Sequence, residues 1–420
     1  MNPHDLVAAI DEVVSDDPDK RLALYVHVPF CASKCHFCDW VVDVPVSRLR
    51  GDAAARDPYV AALCEQLRFY GPLLTRMGYR PQVMYWGGGT PTRLSPGELR
   101  AVAVALRESF DLSELRQWSM ETTPNDLTAE KLATMREVGV DRVSVGVQSF
   151  NAYQLRRSGR VHTGDDCVRA VELLRATGID NFNLDLISSF PGEDLDAFAA
   201  TLDAALALDP PHVSVYPYRA TPKTVMAMQL ERSVVAAHGR QRMIEGYEYA
   251  MQRLRRDGYH EYCHGYWVRR PEDEDHDGNY KYDLAGDKIG FGSGAESIIG
   301  HHLLWNENAK YAQYLAQPRQ FSFAQRFSLS QPDLLTAPIG GALMTREGIV
   351  YARFERLTGL SFHDVRQTPY VARWLAVLEE CGGRFVETDG SLRLDQATIH
   401  TTYINHLAYT AGAGLEVARA

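Results

Sequence analysis

The sequence predicts an α/β fold: a partial (β/α)6 barrel followed by a smaller α+β, winged-helix-like domain. Three observations carry this expectation. Apolar strand-like runs alternate with helix-patterned stretches from Arg21 onward, the rhythm of right-handed βαβ units and a parallel sheet. Polar or glycine residues recur at the carboxyl end of each run, where α/β sheets gather their ligands. After about residue 300 the alternation gives way to helices and a short hairpin pattern.

In chain order, residues 1–20 form an acidic extension and Arg21–Val28 the first strand. The stretch from Val41 to Asp57 is irregular, and Pro58 opens a helix that Gly71-Pro72 ends. A strand at Gln82–Trp86 runs into Gly87-Gly-Gly-Thr-Pro-Thr92, and Ser95 and Glu98 are spaced as a capping box for the next helix. Strands follow at Gln117–Glu121, Arg142–Gln148, Asn181–Ile187 and His212–Tyr216. Helices near Thr128–Val138, Thr163–Thr177 and Asp194–Leu208 alternate with them, and a long helix near His238–Asp257 comes after the last. Arg269–Asp287, with Glu272-Asp-Glu-Asp-His-Asp277 at its heart, is expected to be a solvated loop or, alternatively, a lid. Ile289-Gly-Phe-Gly-Ser-Gly-Ala295 is a glycine-rich turn that could approach a ligand. Helices near Pro332–Thr345 and Tyr370–Cys381 precede a hairpin turning at Asp389-Gly390. The domains divide as 1–20, 21–300 and 301–420.

Bulk properties narrow the function. A net charge of −10 over 420 residues argues against a nucleic-acid surface. No apolar run approaches a membrane span and no secretory pattern opens the chain, so a cytoplasmic protein is expected. Seven cysteines in so long a chain are no disulfide framework. Cys64, Cys167, Cys263 and Cys381 are scattered singly, as small buried hydrophobes are.

The other three are not scattered. Cys31, Cys35 and Cys38 stand in a C-x3-C-x2-C spacing within Tyr25-Val-His-Val-Pro-Phe-Cys-Ala-Ser-Lys-Cys-His-Phe-Cys-Asp-Trp40, directly after the first strand. Three soft thiolates on one loop suit iron–sulfur or zinc, and they can hold three irons of a cubic [4Fe–4S] cluster with the fourth iron open. Gly87-Gly-Gly-Thr-Pro offers bare backbone to a ligand's carboxylate and ammonium groups. Glu121, Gln148 and Asp185 fall at or near the ends of strands three to five, and Tyr216, Tyr218 and Arg219 close the sixth.

The cysteine spacing, the Tyr-x-His-x-Pro-Phe-Cys lead-in and Phe37 before the last cysteine resemble the opening of radical S-adenosylmethionine (SAM) enzymes. More narrowly, they resemble the coproporphyrinogen-dehydrogenase-like branch, as do Met120-Glu-Thr-Thr-Pro124, Ser144-Val-Gly-Val-Gln-Ser-Phe150, Arg160 and Asn183-Leu-Asp-Leu-Ile187. The resemblance implies a [4Fe–4S] cluster on Cys31, Cys35 and Cys38, an external one-electron reductant of the flavodoxin or ferredoxin type, and two SAM molecules. Tyr25, Gly88 and Glu121 would contact the first; Phe37, Gly89, Thr90, Gln148, Arg160 and Asp185 the second. Arg219 is a further candidate contact.

Two departures bear on the branch member. Coproporphyrinogen dehydrogenases carry a further cysteine where this chain has Trp40. The haem chaperones show His-Asn-x-x-Tyr-Trp where this chain reads His276-Asp-Gly-Asn-Tyr-Lys281. The sequence looks most like the class C radical SAM methyltransferases, which implies methylation of an sp2 carbon in a small-molecule or modified-peptide substrate. Tyr216, Tyr218 or Glu296 would then take the departing proton. The alternatives are a haem chaperone, a cyclopropanase and a porphyrin oxidoreductase.

Overall fold

The computed structural model describes residues 20–38, 52–219, 224–231, 239–282, 286–299, 302–306, 311–320, 323–328, 336–399 and 402. Residues 1–19 of the N-terminal extension, Trp40 and Ala220–Pro222 therefore lie outside the described residues, as does most of the stretch expected to be irregular after the cysteines.

Among the described residues twelve strands make one sheet. Six strands take their neighbours in chain order and run parallel: β1 (Arg21–Val28), β2 (Arg80–Gly88), β3 (Gln117–Thr122), β4 (Arg142–Gln148), β5 (Asn181–Ser188) and β6 (His212–Pro217). Beyond β6 come β8 (Tyr266–Val268) and β7 (His260–Cys263), antiparallel. On the other flank β9 (Asp287–Phe291) pairs parallel with β1, and β10 (Glu296–Ile299), β11 (His302–Asn306) and β12 (Phe323–Ser328) continue antiparallel. This is an open barrel-type α/β sheet with seven parallel strands rather than six. It runs past residue 300, because β10 to β12 hydrogen-bond outward from β9.

The crossover helices are α1 (Ala53–Arg76), α2 (Pro96–Ser109), α3 (Ala129–Glu137), α4 (Gly164–Ala176), α5 (Leu195–Ala207) and α6 (Gly239–Arg256). Their starts follow local chemistry. Ser95 and Thr163 form capping boxes with Glu98 and Asp166, and Thr128 and Asp194 cap their own helices. The first helix departs from expectation: it starts at Asp52, whose carboxylate accepts from the Ala55 N–H at 2.9 Å, and it continues through both Pro58 and Pro72. Strand side chains such as Val26, Met84, Met120, Val143, Leu184 and Val213 pack outward against these helices and form the main core. Cys64, Cys167, Cys263 and Cys381 are buried, and no disulfide joins them among the described residues.

The acidic segment is not a solvated loop. Asp273, Asp275 and Asp277 are 2%, 7% and 6% exposed. Gln117 pins the segment to β3, donating to the Glu274 carbonyl at 2.9 Å and accepting from the His276 N–H at 2.9 Å. The charges are matched from the sheet, Asp275 by Arg142 at 3.6 Å and Asp277 by Lys288 at 2.7 Å. Burial of acids requires such partners.

A second, smaller core gathers Ile339, Leu343, Ile349, Phe354, Phe362, Val371, Leu378, Leu392 and Leu394. It combines helices α7 (Thr336–Leu343), α8 (Tyr351–Thr358) and α9 (Pro369–Glu380) with a three-stranded sheet of Ile349–Val350, Phe385–Glu387 and Ser391–Leu394. It is tied to the large sheet where the His264 N–H donates to the Met344 carbonyl at 2.8 Å and the Arg346 N–H to the Tyr262 carbonyl at 2.9 Å.

Candidate functional site

Side chains alternate along a strand, so one parity faces one side of the sheet. Tyr25 and His27 of β1, Tyr85 of β2, Glu121 of β3, Ser144 of β4, Asn183 and Asp185 of β5 and Tyr216 of β6 all border a single cavity of about 610 Å3. Eight side chains from six neighbouring strands can share one cavity only if the sheet curves around it. The cavity reaches from Cys38 and Tyr218 at the carboxyl rim to Arg142 and Asp275 at the opposite end.

The cysteine loop leaves β1 at this rim. His36 anchors it twice, its N–H donating to the Ser158 carbonyl and its Nδ1 to the Arg157 carbonyl, each at 2.8 Å. Ser33 donates to the Gly159 carbonyl at 2.9 Å. Cys31, Cys35 and Cys38 are half-buried. Thr90 Oγ1 lies 3.9 Å from Cys31 Sγ, and Arg160 Nη1 donates to Cys35 Sγ at 3.4 Å. Burial, with the two neighbouring thiols, pushes Cys31 up to about 12. A bound metal reverses that cost, because it takes the thiolate and supplies the opposing charge.

Among the described residues no group of three His, Cys, Asp or Glu side chains converges on a single ion. A cubane does not require it, since each thiolate takes its own iron. The donor set, its fixed loop and the guanidinium beside Cys35 therefore fit a [4Fe–4S] cluster.

Behind the loop, Gly88 adopts φ +103°, and a Cβ there would lie 2.5 Å from the His27 ring. Only glycine lets β1 and β2 end this close together. The Gly88 N–H donates to Glu121 Oε2 at 3.2 Å while the Tyr85 hydroxyl donates to Oε1 at 2.8 Å, so Glu121 is held from two sides. Tyr25 Oη lies 3.2 Å from His27 Nδ1, and Lys288 Nζ stands 5.1 Å over the Tyr25 ring. Burial lowers His27 to about 4, so it is neutral; burial, with the Glu121 charge second, raises the Tyr25 phenol.

Gln148 adopts φ +67° where the β4–β5 register slips between Gly146 and Gln148. The bulge turns its side chain into the cavity at the expense of backbone strain. Asp185 accepts from Ser144 Oγ at 2.9 Å and Asn183 Nδ2 at 2.7 Å, and burial raises its pKa. Phe37 packs on Phe190, which packs on Tyr218. Tyr218 Oη has no hydrogen-bond partner among the described residues, and burial raises it to about 12.

Tyr25, Phe37, Cys38, Gly88, Glu121, Gln148, Asp185, Tyr216, Tyr218, Arg219 and Glu296 all line the cavity, Arg219 and Glu296 from exposed positions. Cys31, Cys35, Gly89, Thr90 and Arg160 stand outside its lining; Thr90 and Arg160 turn to the cysteine sulfurs instead. Burial, by raising Tyr218 to about 12, favours its protonated phenol at neutral pH. Sequence reasoning did not select Tyr85, Arg142, Asp275 or Lys288 for the site. The available signal was parity: Arg142 shares the face of Ser144, and Tyr85 precedes the glycines by one strand repeat.

A family profile described as the Radical SAM superfamily matches residues 25–205. The heme chaperone HemW of Bacillus subtilis (strain 168) is 33% identical over 285 residues, 66% of this chain and 70% of that one. The oxygen-independent coproporphyrinogen III oxidase of Synechocystis sp. (strain ATCC 27184 / PCC 6803 / Kazusa) is 26% identical across 94% of this chain and 84% of its own. Among solved structures, the coproporphyrinogen III oxidase HemN of Escherichia coli, described as a radical SAM enzyme, superposes with a TM-score of 0.73 at 23% identity, covering 96% of this chain and 93% of that one. The chain belongs to the radical SAM superfamily, whose members use a [4Fe–4S] cluster, SAM and an external reductant. Within it, the relatives named above are a heme chaperone and oxygen-independent coproporphyrinogen III oxidases. The expected class C methyltransferase activity is corrected by these relatives, which are chaperones and oxidases of the haem pathway.

Proposed function

We propose that this protein is a haem-handling chaperone on a radical SAM scaffold. The observation that carries it is the scarcity of cations in the cavity. At its deep end Lys288 is held by Asp277 at 2.7 Å, while Asp275 stands 3.6 Å from Arg142 and leaves that guanidinium donors for an anion. A porphyrinogen with four carboxylates would need more cationic partners than such a lining offers. Haem brings two carboxylates and a broad apolar face, which the aromatic wall of Tyr85, Tyr216, Tyr218 and Tyr266 suits. The 33% identity to a heme chaperone and Trp40 in place of a further cysteine support the same reading.

Cys31, Cys35 and Cys38 would hold the cluster, with Tyr25, Gly88 and Glu121 around the amino-acid end of SAM. When bound, the pair supplies one-electron chemistry. Of the residues expected around a second SAM, Phe37, Gln148 and Asp185 line the cavity, whereas Gly89, Thr90 and Arg160 do not. Equilibrium dialysis is expected to count one SAM per chain; a count of two would restore the second molecule. Arg219 and Glu296, exposed where they border the cavity, offer a polar edge to a partner that accepts haem. A cytoplasmic setting suits seven reduced thiols.

The test is anaerobic titration of the reconstituted protein with hemin, followed by absorbance. Saturable, stoichiometric binding with no SAM turnover is expected. Decarboxylation of coproporphyrinogen III coupled to 5′-deoxyadenosine release, with no hemin uptake, would make it an oxidase instead. That second reading rests on the match along 94% of the chain to such an oxidase.

A further inference from the structure

Arg142 lies at the start of β4, at the end of the cavity away from the cysteine loop. It is 1% exposed, yet its guanidinium is poorly satisfied. Nη2 donates to His212 Nδ1 at 2.6 Å. The Asp275 carboxylate stands 3.6 Å from Nη1, beyond hydrogen-bond reach, and Nε and Nη1 have no hydrogen-bond partner among the described residues. A buried guanidinium carries five donors, and leaving them unfilled is costly, so native structures supply water or a ligand at such places. The planar cation matches a carboxylate better than any other organic group. Ser144 and Asn183 border the same stretch of cavity and add polar edges. Asp275 sits close enough to keep the cation oriented without filling its donors.

We propose that Arg142 anchors a carboxylate-binding subsite at the deep end of the barrel cavity. The ligand class is an organic acid, a propionate of a tetrapyrrole; SAM, whose amino-acid end would lie with Tyr25, Gly88 and Glu121 beside the cysteine loop, is the control. This source rests on the haem-handling reading.

The experiment uses the full chain with its cluster reconstituted, as wild type, R142M and R142K, each checked for cluster content and thermal melting. Three probes are titrated: hemin, hemin dimethyl ester and SAM. With a tetrapyrrole carboxylate in the subsite, wild type binds hemin about tenfold or more tighter than the ester. R142M then binds both alike, R142K recovers part of the preference, and SAM affinity stays unchanged. R142M that leaves the hemin-to-ester ratio alone, whether or not it weakens SAM, overturns the subsite. Wild type that binds no hemin overturns the haem reading, whereas wild type that binds hemin and its ester alike overturns the subsite. Should R142M fail to fold, the wild-type ester comparison and R142K still test the subsite, and an R142K that alters neither ligand, with no ester effect in wild type, overturns it.

Discussion

Glu193 follows β5 behind the Phe37–Phe190–Tyr218 stack and is 3% exposed. Its Oε2 accepts from the Phe190 N–H at 3.1 Å, but burial outweighs this and raises its pKa from 4.5 to about 7. The folded state thus holds the proton more tightly than the unfolded chain. The associated stability is fully present below pH 4.5 and is lost as pH climbs through about 7, a swing of about 3 kcal/mol. Glu193→Gln keeps an acceptor for Phe190 and cannot ionise. Between pH 5.5 and 8, the variant's melting temperature should fall less than wild type's; parallel curves would discredit the assignment. Cys35→Ala is expected to abolish the visible absorbance of a reconstituted cluster, and a variant that kept it would refute the ligand set. At this scale the sequence spoke clearly where chemistry is local, as in the cysteine spacing and the boxes at Ser95 and Thr163. It was silent on Arg142 and Lys288, whose acidic partners come from a segment read as solvated.

Helix α1 marks where element-level signals mislead. Gly71-Pro72 looks like a stop, yet the helix crosses it and continues to Arg76. The glycine is there for contact: a Cβ on Gly71 would lie 2.4 Å from Ser109 Cβ on α2. Gly71→Ala should therefore destabilise by about 1–3 kcal/mol through overpacking, against the roughly 1 kcal/mol that alanine ordinarily gains in a helix. Urea denaturation reads this, and Ser109→Gly in the same chain should restore only part of the loss, because the Ser109 carbonyl oxygen lies 2.8 Å from the same point. The acidic segment behaves similarly. Lys288→Met leaves the Asp277 carboxylate buried without its cation, at a cost of about 3–5 kcal/mol, and adding Asp277→Asn should recover much of it. A double variant no better than the single one would mean that Lys288 acts through packing instead. The run Glu272–Asp277 could not be placed from sequence because burial of an acid depends on where its counter-ion lies in space.

For the whole molecule, the βα alternation was legible because parallel units repeat one local pattern from Arg21 to Pro217. The antiparallel wings were not, because β7, β8 and β10 to β12 are short and lack that rhythm. Function stood further from the sequence than fold: motifs shared across a superfamily locate the cluster loop, but the expected methyl transfer is overturned by similarity to a heme chaperone and an oxygen-independent coproporphyrinogen III oxidase. No helix among the described residues is long and apolar enough to cross a membrane. The strand order carries one more consequence, for synthesis. β1 takes β2 on one side and β9 on the other, and β9 leaves the ribosome about 260 residues after β1. At bacterial-type elongation rates of roughly 5–20 residues per second, one edge of β1 waits on the order of ten to fifty seconds for its neighbour. An open strand edge invites mispairing, so the nascent chain is at its most vulnerable during that interval. Ribosome-stalled chains ending before Asp287 should remain protease-sensitive in β1 and take up no iron, whereas chains extended through Ser328 should resist cleavage. Iron loading would then be a step that follows translation rather than one that accompanies it.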